Sequence, residues 1–106
     1  MTLDDFVKLA RYRFNACLGL VIGEKHEEYS RNNDKLYNFK RAGEIQRCIP
    51  ERALIGMLSK HLVSMLDIVD DLEEGGIPEE GILTEKITDS INYLVLLEGL
   101  IKERLK

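Results

Sequence analysis

Apolar residues at helical spacing dominate the last part of the chain and restrict it to a helical fold. Between Leu83 and Leu105 they recur at steps of three and four, as in Ile87, Ile91, Leu94, Leu97 and Ile101. This spacing is typical of one face of an α-helix. No strand alternation, repeat or low-complexity segment competes elsewhere in the 106 residues. The pattern therefore predicts an all-α fold.

Three more helices are predicted before this one. The predicted bounds of all four are from about Leu3 through Tyr29, from Lys35 to about Arg47, from Pro50 to about Glu74, and from Thr84 to Leu105. Short connections between them favour a four-helix up-and-down bundle. The length predicts a single domain over residues 1–106.

Local signals place the helix ends. Asp34 and Thr84 are favourable N-cap residues for the second and fourth helices. Pro50 suits the first turn of the third helix. The run Gly75-Gly76-Ile77-Pro78 ends that helix, and Glu79–Leu83 is expected to be a loop.

Composition excludes several classes of function. A net charge of -4 argues against general nucleic-acid binding, and no apolar run reaches the ~18 residues of a membrane span. Cys17 and Cys48 lack metal-ligand spacing, which indicates reduced thiols in a cytoplasmic protein. The third and fourth helices carry more apolar surface than a small monomer can bury, so we expect a homo-oligomer.

Two polar stripes interrupt the apolar faces of the last two helices. Glu85, Asp89 and Asn92 follow the spacing i, i+4, i+7. The third helix has a similar stripe, formed by Lys60, Ser64, Asp67 and Asp71. If these helices pack antiparallel, the carboxylates of Asp67, Asp71, Glu85 and Asp89 meet at one end and offer oxygen ligands for magnesium.

Several short blocks resemble a small phage and prophage family of helical proteins. The resemblance covers residues 25–103 and rests on Glu28-Tyr29, Asp34-Lys35-Leu36-Tyr37-Asn38-Phe39, Lys60-His61-Leu62-Val63-Ser64, Glu85-Lys86-Ile87 and Asn92-Tyr93. More distantly, the chain is similar to MazG-type and dUTPase-type all-α nucleotide pyrophosphatases and to nucleotide-modification-associated phage proteins. That likeness implies helix-borne carboxylates, magnesium and a nucleoside triphosphate substrate. The acidic pattern is incomplete, since Arg31 stands where that group has an acid.

The resulting hypothesis is a phage-type protein, in the host cytoplasm, that binds a phosphate-bearing nucleotide without turnover. A linear or cyclic nucleotide signal of host defence would be such a ligand. The residues expected to bind it are Tyr29, Arg31, Lys35, Tyr37, Asn38, Lys60, His61, Ser64 and Asn92.

Two alternatives stay open. One is a magnesium-dependent nucleoside triphosphate pyrophosphohydrolase, in which the four carboxylates hold the metal and the metal activates water. The other is a non-catalytic interaction protein, in which the polar stripes only fix helix register through buried hydrogen bonds.

Overall fold

The computed structural model describes the backbone of residues 1–22 and 34–106 and the side chains of residues 1–20 and 34–106. Within these ranges the chain forms four α-helices and no β-strand: α1 (Leu3–Ile22), α2 (Tyr37–Gln46), α3 (Pro50–Glu73) and α4 (Glu80–Arg104). The predicted all-α fold is confirmed. The expected continuation of the first helix through residues 24–29 lies outside the described residues.

The ends of α3 agree with the sequence signals, but the start of α4 does not. Pro50 occupies the first turn of α3, and Gly75 follows its end at a φ of 90°. α4 begins at Glu80 after an extended Glu79, so the predicted loop over residues 79–83 and the Thr84 cap are both wrong. Pro78 cannot continue a preceding helix, and the acidic Glu80 is favoured at the positive end of the new one.

α4 is the helix against which the others are organised. Both α1 and α3 pack on α4, and α2 packs on α3. The buried core lies among α2, α3 and α4 and contains Leu36, Phe39, Leu54 and Leu100, with Met57, Tyr93, Leu96 and Leu97 packed around it. No helix of the described residues is both long and apolar enough to span a membrane.

Ion pairs attach the end of α4 to its neighbours. The Lys40 ammonium lies 2.8 Å from an Asp34 carboxylate oxygen and 3.1 Å from one of Glu103. Arg104 pairs with Glu51 in the first turn of α3. These contacts join the end of α4 to α2 and to α3.

Asp34 has two roles at the entrance to α2. One carboxylate oxygen accepts a hydrogen bond from the Leu36 backbone N–H at 3.0 Å, and the other accepts one from Lys40. The Lys40 hydrogen bond holds the pKa of the Asp34 carboxyl below its ordinary value of 3.8. Asp34 therefore closes the turn before α2, three residues ahead of Tyr37. The predicted helix start at Lys35 with Asp34 as its N-cap is wrong, because Leu36 occupies the N-cap position.

We expect Asp34→Ala to lower the free energy of unfolding by about 1–2 kcal/mol, because it removes both the hydrogen bond that closes the turn and the ion pair with Lys40. Asp34→Asn should lower it by less than about 1 kcal/mol, since the amide oxygen can still accept the Leu36 N–H. A lowered carboxyl pKa stabilises the fold above pH 3.8, and that stabilisation is lost as pH falls through the folded-state pKa. Urea unfolding at pH 7 and pH 3 tests this. The wild type and Asp34→Asn should differ less in free energy of unfolding at pH 3 than at pH 7. A difference that is equally large at both pH values would mean that the Asp34 carboxylate does not stabilise the fold through its lowered pKa.

Candidate functional site

A cleft of about 250 Å³ opens between the four helices, on the side where α2 and α3 face α4. Half of its lining comes from α4. The lining residues are Leu20, Lys35, Asn38, Phe39, His61, Glu85, Asp89, Asn92, Tyr93 and Leu96. Polar groups alternate with apolar and aromatic ones, which is the composition of a small-molecule site.

The polar stripe of α4 lines this cleft. Glu85, Asp89 and Asn92 all contribute to its wall, and Asp89 is buried with only 9% of its surface exposed. Residues four and three apart lie above one another on a helix, so the row runs along the cleft rather than around the helix. Two carboxylates and one carboxamide therefore present oxygen acceptors, and Asn92 also presents an N–H donor.

Two hydrogen bonds to Thr88, on the buried side of α4, attach α1 to α4. The Arg13 guanidinium donates to the Thr88 hydroxyl oxygen at 2.8 Å, and the Cys17 thiol donates to the Thr88 carbonyl at 3.7 Å. Burial raises the pKa of the Cys17 thiol, which keeps it protonated and able to donate. Ser90 satisfies its own hydroxyl by donating to the Lys86 carbonyl at 2.6 Å. Thr88, next to Asp89 in the chain, is thus anchored to α1.

Three rings form the aromatic part of the wall. The Tyr93 ring lies 5.2 Å from the His61 ring at a tilt of 38°, and 6.0 Å from the Phe39 ring in an edge-to-face arrangement. Among the described residues, the Nδ1 atom of His61 is a buried polar atom with no hydrogen-bond partner. Leaving such an atom unsatisfied costs about 1–3 kcal/mol. His61 lines the cleft, so a ligand that turned the ring and paired with this nitrogen would remove that cost.

Among the described residues of the cleft wall, Lys35 is the one lysine. Burial lowers the pKa of the Lys35 ammonium below its ordinary value of 10.5. Lys35 shares the wall with Glu85 and Asp89, so the formal charge of the described lining residues is slightly negative. Such a site favours a ligand with one anionic group and several hydrogen-bond donors over a bare polyphosphate.

The predicted site residues divide into two groups. The cleft brings together Lys35, Asn38, His61, Asn92, Glu85 and Asp89. Tyr37 is partly buried but does not line the cleft. The structure does not describe residues 29 and 31, so the predictions for Tyr29 and Arg31 lie outside the described residues.

The polar stripe of α3 does not enter the cleft. Lys60, Asp67 and Asp71 are exposed and absent from its lining, and the Ser64 hydroxyl donates to the Lys60 carbonyl of its own helix at 3.1 Å. Each residue step turns a helix by about 100°. His61 faces the cleft, so the stripe that begins at Lys60 lies about a quarter of the circumference away.

The predicted set of four facing carboxylates is therefore not assembled. Only Glu85 and Asp89 reach the cleft, while Asp67 and Asp71 lie in solvent on α3. In the described ranges, no group of three or more His, Cys, Asp or Glu side chains is placed to hold a metal ion. The stripes of α3 and α4 have similar spacing, but only that of α4 lies on a helix face that points at other helices.

Sequence reasoning missed the apolar part of the cleft. Phe39 packs in the core and also lines the cleft, and Leu20 and Leu96 line it as well. Leu20 follows Cys17 by three residues, and this spacing is the sequence signal that places both on one helix face.

Comparisons of the chain with protein-family models, with curated proteins and with solved structures found no match in any of the three.

Proposed function

We propose that this cleft binds a phosphate-bearing ligand of the size of a mononucleotide and releases it unchanged. The observation that carries the proposal is the unpartnered, buried Nδ1 atom of His61 beside the Tyr93 ring, in a cleft that six of the predicted polar residues line. An unsatisfied buried polar atom next to an aromatic surface fits a heterocycle that both stacks and hydrogen-bonds.

The volume and charge of the cleft select the ligand. A volume of about 250 Å³ lies just below the ~300–1,000 Å³ of typical small-molecule sites. This size favours a mononucleotide over a cyclic dinucleotide. Lys35 is the lysine of the described lining, and it would contact a phosphate as a point charge. Glu85 and Asp89 would accept hydrogen bonds from ribose hydroxyls or from an amino group of the base.

Asn38 and Asn92 complete the polar contacts on two different helices. A carboxamide offers both donors and an acceptor, so it can match the mixed edge of a nucleobase. Asn38 lies on α2 and Asn92 on α4, and both line the cleft. A ligand that reaches both would be held from two sides.

The cleft is poorly equipped for turnover. Hydrolytic proteins of the kind that the sequence resembles use several helix-borne carboxylates, but here Asp67 and Asp71 lie in solvent and only Glu85 and Asp89 line the cleft. Glu85 and Asp89 fit a magnesium ion that arrives with the ligand, since magnesium is commonly bound through one or two carboxylates and the substrate's phosphates. Such an ion would reduce the repulsion between the negative charges of the phosphate and those of Glu85 and Asp89.

Isothermal titration calorimetry with ribonucleoside and deoxyribonucleoside monophosphates tests the binding directly. We expect at least one monophosphate to bind, and to bind more tightly than the matching cyclic dinucleotide or nucleoside triphosphate without magnesium. The absence of heat for every nucleotide would overturn the proposal. Release of phosphate or pyrophosphate from a bound nucleotide in the presence of magnesium would instead establish the pyrophosphohydrolase alternative.

Lys35→Met is expected to weaken binding of the monophosphate about tenfold or more, because a hydrogen bond to a charged group contributes about 1.5–3 kcal/mol. Binding of the matching nucleoside, which lacks the phosphate, should be unchanged. Lys60→Met is the matched control, since Lys60 is exposed and does not line the cleft. Equal losses in both variants would mean that Lys35 acts only through the net charge of the protein.

The same lysine gives the binding a pH dependence. Only the ammonium form of Lys35 attracts phosphate, and its pKa lies below 10.5. Affinity for the monophosphate should therefore fall as pH rises through the pKa of Lys35, and Lys35→Met should remove this alkaline loss.

A further inference from the structure

The outer face of α3 carries a row of apolar side chains that one chain leaves uncovered. Ile55, Leu62, Leu66 and Val69 follow the steps seven, four and three, and their exposed fractions lie between 41% and 62%. Because each helical residue rises 1.5 Å, the row is about 21 Å long. It lies on a different side of α3 from His61, so it is separate from the cleft.

Four aliphatic side chains in one row, each at least 41% exposed, give α3 an apolar stripe on the face opposite its solvent-facing charges. A helix stripe of this kind is typical of a face that packs against a partner.

Charges of opposite sign beside the row fit a second copy of this chain as the partner. Arg52 and Asp70 are both exposed and flank the row on the same side, one near each end. If two α3 helices pair antiparallel around a twofold axis, Arg52 of each copy lies across from Asp70 of the other. A parallel pair would instead bring together the acidic ends of both helices, which contain Asp70, Asp71, Glu73 and Glu74.

We propose that α3 packs antiparallel against α3 of a second copy, with the twofold axis near Leu62. The apolar row supplies the centre of the interface, and two symmetric Arg52–Asp70 pairs lie at its rim. Such an interface is self-complementary, which is the property that a twofold dimer requires. The opposed charges set the direction of pairing, as they do between helices of coiled coils.

Sedimentation equilibrium over a range of concentrations tests the dimer. We expect the wild type to dimerise and Leu66→Glu to raise the dimer dissociation constant at least 100-fold. Phe14→Glu is the matched control, because Phe14 is exposed to a similar extent, 61% against 62%, but lies on α1. Its dissociation constant should stay within threefold of the wild type. Circular dichroism verifies that both variants keep their helices, and Leu66→Ser replaces Leu66→Glu if they do not.

A charge exchange tests the direction of pairing. Arg52→Glu and Asp70→Arg should each weaken the dimer about tenfold, because each sets like charges opposite one another twice. The double variant should return to within threefold of the wild type. A monomer at every concentration, a dimer that Phe14→Glu disrupts and Leu66→Glu does not, or a double variant as weak as the single ones would each overturn the proposal.

Discussion

Leu54→Ala is expected to lower the free energy of unfolding by about 3 kcal/mol, within the ~2–5 kcal/mol typical of buried leucines. Leu54 is 0% exposed and lies at the centre of the core with Leu36, Phe39 and Leu100. These partners come from α4 and from the segment that starts α2, so they cannot all move inward to fill the space left by the missing methyl groups. The loss then includes a cavity term as well as the transfer term. Urea unfolding followed by circular dichroism measures it.

Ile45→Ala provides the control, because it removes a side chain of the same size from a helix surface. Ile45 is 77% exposed on α2. Its replacement should change the free energy of unfolding by no more than about 0.5 kcal/mol. If the two variants were equally stable, Leu54 would not be at the centre of the core. A large loss in Ile45→Ala would indicate that its face is covered in solution.

Much of the fold could be predicted because local signals and packing agree. Pro50 and Gly75 bound α3 both in the sequence and in the structure. The start of α4 could not be predicted, because Thr84 is a better cap by type than Glu79. The helix nevertheless begins earlier, where the chain leaves Pro78 and can gain another turn. Cap preference alone does not measure that gain.

The candidate site was predictable on one helix and not on the other. The stripe of Glu85, Asp89 and Asn92 lines the cleft, and the equally regular stripe of Lys60, Ser64, Asp67 and Asp71 does not. Spacing establishes that residues share a face, but the direction of that face depends on which helix packs against it. α3 buries the face of Leu54 and Leu58 between α2 and α4, which turns Lys60 outward.

The sequence alone also does not show which glycines are required by the packing of neighbouring segments. A Cβ atom built on Gly19 meets no atom of the described residues within 4 Å, so no neighbour there requires glycine. Gly43 is the position that requires glycine. A Cβ atom on Gly43 would lie 2.8 Å from the Cys48 carbonyl oxygen and 3.1 Å from the Pro50 nitrogen. Both are backbone atoms of the link between α2 and α3, where Arg47 adopts a left-handed conformation with a φ of 56°.

Gly43→Ala is therefore expected to lower the free energy of unfolding by about 1–3 kcal/mol, the usual cost of forcing an extra carbon into a packed site. Gly56→Ala should have the opposite sign, a gain of about 1 kcal/mol, because Gly56 lies inside α3 with nothing within 4 Å of its added carbon. Both variants make the same chemical change within a helix, so the helix-forming advantage of alanine is common to them. The difference between their unfolding midpoints in urea thus isolates the contact between Gly43 and the α2–α3 link. If the midpoints of Gly43→Ala and Gly56→Ala both shift upward, the link between α2 and α3 can move aside to make room for the added carbon.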